Sequence, residues 1–482
     1  MRRKFIKLGS ILLGVMLFTS YTYCVPDAPP GGGSAPGGGT SSASVSYNGA
    51  NTISEDKTVD NQNYSSTTAG QNSLLISGGN STITNSSFTK SGDESDENSD
   101  FYGTNACILV YNGGEITIVD AKIETNGGHA NGVFAYTNGT INISDSTIKT
   151  TGNNSGGIMV TGGGTLNASN LTVETSGNSS ASIRSDRAGG TMLIKKGSYK
   201  TTGQGSPAIY STANISVEDA TLTSESSEGI VIEGANSVKL NNVSLTDTNN
   251  TLNGNSETYK NIFIYQSMSG DASEGTGTFT AEDSNIITNK GDTFYITNTT
   301  AIINLTNNTF ENKDGDFLRA EGAKWGTSGS NGGLVNLTLS NQIAYGDIVL
   351  DEISTLSMAI SKKSYYKGAI NKDNKSTKTS LTIDDNSIFV LEGDTYLNTL
   401  TNSVNDNSNI YSNGYTLYIN QEKVDINEST PPEPESEVES TEKEVVTNTL
   451  SKKNMYMILG SIIALLLLLI IVTIIKKNKK SK

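Results

Sequence analysis

Cysteine is almost missing from this 482-residue chain, which has only Cys24 and Cys107. If Cys24 leaves with an export leader, Cys107 stands alone and no internal disulfide can brace the fold. A surplus of positive charge is missing too. The formal charge is -15, and setting aside the four cations Arg2, Arg3, Lys4 and Lys7 and the five lysines after residue 475 leaves about -24 between them. So acidic a body excludes nucleic-acid binding, which needs cations to neutralise phosphates. Histidine occurs once, as His129 in Gly-Gly-His-Ala-Asn, and reads as a turn residue. Long apolar runs are confined to the two ends.

Those two runs differ in length and in what flanks them. Residues 1–24 place Arg2, Arg3, Lys4 and Lys7 before a short apolar stretch, Leu8 to Phe18, and read as a secretory signal cleaved near Thr22-Tyr23-Cys24. Residues 455–475 are apolar throughout, about the 20 residues that cross ~30 Å of hydrocarbon, and predict a single transmembrane helix. Lysines crowd 476–482, so this tail is expected in the cytoplasm and the bulk of the chain outside the cell membrane. Residues 25–44, rich in Pro, Gly and Ser, predict a linker, and the acidic 427–454 with Pro-Pro-Glu-Pro-Glu a solvated stalk.

Between linker and stalk lies a repeat. A short strand is followed by Asp or Asn, two residues, then an apolar one: Asp120 to Ile123, Asp145 to Ile148, Asn170 to Val173, Asp219 to Leu222, Asn242 to Leu245, Asp283 to Ile286 and Asn307 to Phe310. Lys196 to Tyr199 has the same shape. These positions advance by 25, 25, 26, 23, 23, 41 and 24 residues, the long step marking an insertion within 250–277. One period of this length suits one coil of an all-β, right-handed parallel β-helix solenoid over 45–333. Asp or Asn would turn the same corner of every coil, where they tolerate left-handed backbone and bond turn amides. Regularly spaced leucines of a horseshoe and the ~40-residue period of propeller blades are both missing. Residues 334–426 keep looser strand-like alternation and predict the last coils and a C-terminal cap against edge pairing.

The segments Pro207 to Ser211, Ser185 to Gly190, Val231 to Gly234 and Gly346 to Asp351 resemble bacterial pectin-lyase-like β-helix surface proteins, many of them adhesin-like. The resemblance implies the fold and, loosely, surface binding.

A second register runs through Ile108, Val133, Ile158, Ile183, Ile209 and Ile230, predicted to stack inward. The next residues then point outward: Leu109, Phe134, Met159, Arg184, Tyr210 and Val231, with Tyr111, Tyr136, Asp186 and Glu233 two further on, and Phe263, Tyr265, Tyr295, Arg319 and Glu321 beyond the insertion. Two readings stay open. The face is a ladder of rings and charges that binds glycans through Phe134, Tyr136, Arg184, Asp186, Tyr210 and Glu233, or an adjacent loop or the N-terminal segment covers it as a second core. Catalysis would have to use Arg184, Asp186, Arg187 and Glu233, the one group that could be drawn together as in a polysaccharide lyase or hydrolase, two rungs and so about 10 Å apart by strand spacing. The acidic run 93–100 lacks the glycine and terminal glutamate of a calcium loop and reads as a solvated surface loop. No metal site and no cofactor is implied, calcium being the one ion such carboxylates could hold. The expected function is therefore an adhesin or carbohydrate-binding module facing glycans, host or neighbouring-cell molecules, with a tethered polysaccharide enzyme or a passive coat or stalk as alternatives.

Overall fold

Asn, Asp and small residues recur because each coil must change direction three times within about two dozen residues, and few side chains tolerate the turns. The computed structural model describes residues 45–96, 98–252 and 257–434, which form a parallel β-solenoid of right-handed type with about 14 turns. At ~4.8 Å per rung the stack is roughly 65–70 Å long. The leader, the linker, the apolar segment 455–475, the tail and most of the stalk lie outside the described residues. Among the described residues no helix is long and apolar enough to cross a membrane, and the one helix is the single turn α1, Asn98–Tyr102.

Each coil has three strands. One is Ile108–Val110, Glu115–Val119 and Lys122–Thr125, and the next is Val133–Tyr136, Thr140–Ser144 and Thr147–Thr150. First strands stack into a 12-stranded sheet and the other two join into a 22-stranded sheet that bends at the corner between them. At that corner Asp120, Asp145, Asn170, Lys196, Asp219, Asn242, Asp283 and Asn307 all sit at φ between 51° and 61°. The corner repeat therefore holds, including across the insertion. The side chains differ from expectation in one respect. They bond less to turn amides than to their equivalents one rung away, as Asn170 Nδ2 does to Asp145 Oδ1 at 2.8 Å and Asn307 Nδ2 to Asp283 Oδ1 at 2.6 Å.

The inward stack also stands. Ile108, Val133, Ile158, Ile183, Ile209, Ile230, Ile262, Phe294 and Leu318 are paired rung by rung and fully buried. Within 334–426 parallel coils continue through Thr355–Ser361, Thr379–Ile383 and Thr399–Asn402, and the antiparallel pair Leu417–Ile419 and Glu422–Val424 closes a three-stranded sheet.

One inner column is polar. Thr125, Thr150, Thr175, Thr201, Ser224, Asp247 and Thr288 follow one another in register. Three of the threonines donate to a carbonyl five residues on, Thr125 to Ala130 at 2.7 Å, Thr150 to Ser155 at 2.6 Å and Thr175 to Ser180 at 2.5 Å. Asp247 breaks the pattern. It is fully buried, neither carboxyl oxygen accepts a well-formed hydrogen bond, and burial pushes its carboxyl well above the usual carboxylate range.

Two stability experiments follow from these columns. Lys196 occupies a left-handed corner that costs most residues about 1–2 kcal/mol and Asn less, so Lys196→Asn should stabilise the solenoid by up to about 1 kcal/mol in denaturant titration; a loss would mean that the lysine contributes something the corner does not explain. Asp247 in the fold keeps a proton that the unfolded chain has already released, so its contribution to stability falls as pH rises above the ordinary carboxylate range. Replacing it by Thr, which restores the column, should raise stability by about 1–3 kcal/mol at neutral pH and flatten that fall, and thermal melts at several pH values would reveal a wrong assignment as an unchanged pH profile.

Candidate functional site

Strand alternation turns Leu75, Leu109, Phe134, Met159, Arg184, Tyr210, Val231, Phe263, Tyr295 and Arg319 outward along the 12-stranded face, each beside its neighbour on the next rung. An open row of such rings would leave much apolar surface in water. Instead, long turns fold over it from both flanks.

Residues 91–106, carrying α1, cover the first half. Leu75, Ala106, Leu109, Phe134 and Met159 form a second core, with Tyr47, Tyr111 and Tyr136 packed at its edge. Gly103, at φ +70°, lies so close that a Cβ there would stand 2.9 Å from the Phe134 ring. Asn72 Nδ2 donates to the carbonyls of Gly103 at 2.9 Å and Ala106 at 2.7 Å, and Thr161 Oγ1 donates to that of Phe101 at 2.7 Å. Of the two readings of this face, the covered one therefore holds here. Phe134 is fully buried and offers no ring to a ligand, and Tyr136 is half-buried between Tyr47 and Tyr102. The acidic run is correspondingly part of a cover, with Asp100 only 7% exposed.

Beyond Met159 the face turns charged. The Arg184 guanidinium lies between two carboxylates, 3.2 Å from Asp186 Oδ2 and 3.4 Å from either oxygen of Asp100, and also donates to the Asn154 carbonyl at 3.2 Å. His129 turns its corner at φ 54° as expected, yet it is buried, with Nδ1 3.1 Å from Asp100 Oδ2, within ion-pair reach though off the line of the ring N–H. The Asp100 carboxylate holds the imidazolium above its usual range. Burial pushes the Asp186 carboxyl up to about 6, and Arg184 offsets only part of that.

Glu233, two rungs on from Asp186, has a different task. Its Oε2 accepts from Tyr210 Oη at 2.6 Å and Tyr265 Oη at 3.1 Å, while Oε1 accepts from the Ser267 amide at 3.3 Å and from the Ser267 hydroxyl. It thus ties a second cover, residues 266–275, to three coils. Arg187 joins the covers. Its guanidinium lies 3.5 Å over the Phe101 ring and its Nε donates to Asp271 Oδ1 at 2.9 Å. A third cover, 321–332, brings Trp325 against Phe263 and Tyr265, with ring centroids 5.4 and 5.2 Å apart. Val231, Phe263 and Tyr295 are buried beneath.

The covers do not meet completely. Two hollows of about 330 and 250 Å3 adjoin across Pro207, Tyr210 and Asp271. The first is walled by Asp100, His129, Arg184 and Asp186, the second by Glu228, Glu233, Tyr265 and Trp325. A larger hollow of about 590 Å3 lies over the turns around Gly189 and Ala213, but its lining is mostly Gly, Ala, Ser, Thr and Asn, with Asp271 its one charged side chain. Among the described residues no group of three or more His, Cys, Asp or Glu is placed to hold a metal. No protein-family model, curated protein or solved structure matches the chain.

Of the six residues expected to bind, Arg184, Asp186, Tyr210 and Glu233 border the hollows, whereas Phe134 and Tyr136 lie in the second core beneath the first cover. Of the four considered for catalysis, Arg184 and Asp186 are in contact, Arg187 is turned to Phe101 and Asp271, and Glu233 is held apart by its own tyrosines. Asp100, His129, Asp271 and Trp325 were not anticipated as wall residues. The sole tryptophan, set in a Gly- and Ser-rich stretch, was the one signal in the sequence that could have pointed to the third cover. Because Phe134 is a core residue, Phe134→Ala should destabilise the fold by about 3–5 kcal/mol in denaturant titration. A change below about 1 kcal/mol would mean that residues 91–106 do not cover this face.

Proposed function

We propose that this is a cell-surface, membrane-anchored glycan-binding protein of adhesin type, in which the solenoid is scaffold and the paired hollows between the covers receive sugar units. The observation that carries this reading is the joint placement of Tyr210, Tyr265 and Trp325 with hydroxyls and carboxylates around an open concavity. Ring faces pack on the C–H faces of pyranoses, and flanking Ser269, Asp271 and Asp186 can accept from or donate to sugar hydroxyls. Concave sites with a few convergent polar groups are where small ligands bind, and rigid aromatics dominate the energy of such recognition. The export leader, apolar segment and acidic stalk expected from the sequence support a place on the outer side of a membrane, and the resemblance to β-helix surface proteins agrees with it.

Trp325 is the only tryptophan, so its fluorescence reports on the hollow alone. Full-length protein titrated with a panel of oligosaccharides should show a shift in emission with at least one of them, and Trp325→Ala should weaken binding of that sugar about tenfold or more by calorimetry. Silence of the emission across a broad panel, with no heat of binding, would remove the glycan reading and leave a passive stalk or coat.

A further inference from the structure

We propose that the paired hollows select glycans bearing free amino groups, that is, hexosamine units with an unblocked ammonium, and reject uronate and sulfated chains. The inference rests on the glycan reading and adds the charge of the sugar to it.

The walls carry five carboxylates, Asp100, Asp186, Asp271, Glu228 and Glu233, against one guanidinium, Arg184, and one imidazole, His129. The cations are already engaged. Arg184 is shared by Asp100 and Asp186, and His129 faces Asp100. Behind the walls Arg187 is held by Asp271, while Lys260 donates to the Thr258 carbonyl at 2.9 Å and lies 3.8 Å from Glu228. A sugar carboxylate or sulfate entering here would have to break one of these pairs and leave a buried carboxylate without its partner, which is among the costlier changes a site can suffer.

The acids, by contrast, exceed the cations. Glu233 is occupied by Tyr210, Tyr265 and Ser267. Asp186 and Asp271 border the same hollow and each oxygen accepts a single bond, from Arg184 and the Arg187 amide in Asp186 and from Arg187 Nε and the Ser269 hydroxyl in Asp271, so each keeps lone pairs for a further donor. Asp186 is faced by Arg184 on its own strand, by Asp100 and His129 across the hollow, by Asp271 and Arg187 at the second cover, and by Tyr210 on the next coil. Burial above all holds the Asp186 proton up to about 6, with Asp271 and Asp100 adding to it and Arg184, shared with Asp100, offsetting only part. An ammonium placed between Asp186 and Asp271 supplies the missing positive charge through short, charge-assisted hydrogen bonds, while Tyr210 and Pro207 offer apolar surface to the ring that carries it. Binding of this kind strengthens as pH rises through about 6, where Asp186 ionises, and weakens with salt.

The test is a titration of the full-length protein with three oligomers of equal length: glucosamine, N-acetylglucosamine and galacturonate, followed by Trp325 emission and calorimetry. The expected result is glucosamine tightest, by about tenfold or more over the acetylated oligomer, galacturonate weakest, and a glucosamine affinity that falls below pH 6. Asp271→Asn should erase most of the preference for the free amine. If that substitution loosens the second cover, seen as a lowered thermal midpoint, the ranking of the three sugars on the unaltered protein decides alone. Galacturonate or N-acetylglucosamine binding as tightly as glucosamine would overturn the charge selection and leave the glycan reading standing. Failure of all three, and of a wider neutral panel, would overturn both.

Discussion

Parallel coils can stack only if every rung passes its corner in the same backbone conformation, so that the strand beyond it starts over its neighbour's amides and carbonyls. Here that condition is met by one left-handed residue per coil between the second and third strands. The stretch spanning that corner keeps one length from coil to coil, from Glu115 to Thr125, Thr140 to Thr150, Ser237 to Asp247 and Thr278 to Thr288 alike. Side chains that tolerate the conformation and can also bond along the axis serve it best, which explains why Asp and Asn fill it and why Lys196 is the odd member.

All additional length consequently enters at the other two corners, which flank the first strands. Residues 91–106 and 248–259 lengthen one, 266–275 and 321–332 the other, and three of these stretches fold over the same 12-stranded face. Apolar rings on that face become a second core wherever a cover reaches them, and the charged stretch around Arg184 and Asp186 is left at the gap. The site is thus a remainder, the strip of face that the covers do not meet over, and its chemistry is that of the outward residues which happen to lie there together with the inner sides of the covers.

The repeat made the coil legible. Corner residues, the inward isoleucine stack and the outward row could be read across a 41-residue step because each is a local pattern, governed by strand alternation and by the few residues that accept positive φ. What could not be read was which residues come to lie on that row from elsewhere. Asp100 meets Arg184 and Phe101 meets Arg187 across more than eighty positions, with no periodicity to announce the contact. His129 shows both sides of this. Its turn conformation was evident from Gly-Gly-His-Ala-Asn, but its neighbour Asp100 belongs to a run that looked like solvated loop. Trp325 likewise sits in a segment without strand character, so its packing on Phe263 depends wholly on where the third cover lands.

A solenoid whose rungs touch only their neighbours behaves as a one-dimensional chain, able to fray from either end a coil at a time. The bonds made by Arg187 change that. Phe101 departs from the chain three coils before Arg187 and Asp271 returns three coils after it, so this one side chain links coils that share no strand pairing. Opening any coil between them must release the clasp as well, and the middle of the stack should therefore open as one block while the outer coils still unravel singly. During synthesis the same clasp imposes an order. The contacts of the first cover with Arg184 and Arg187 form only after those residues, fifty or more positions after Phe134, have emerged and stacked.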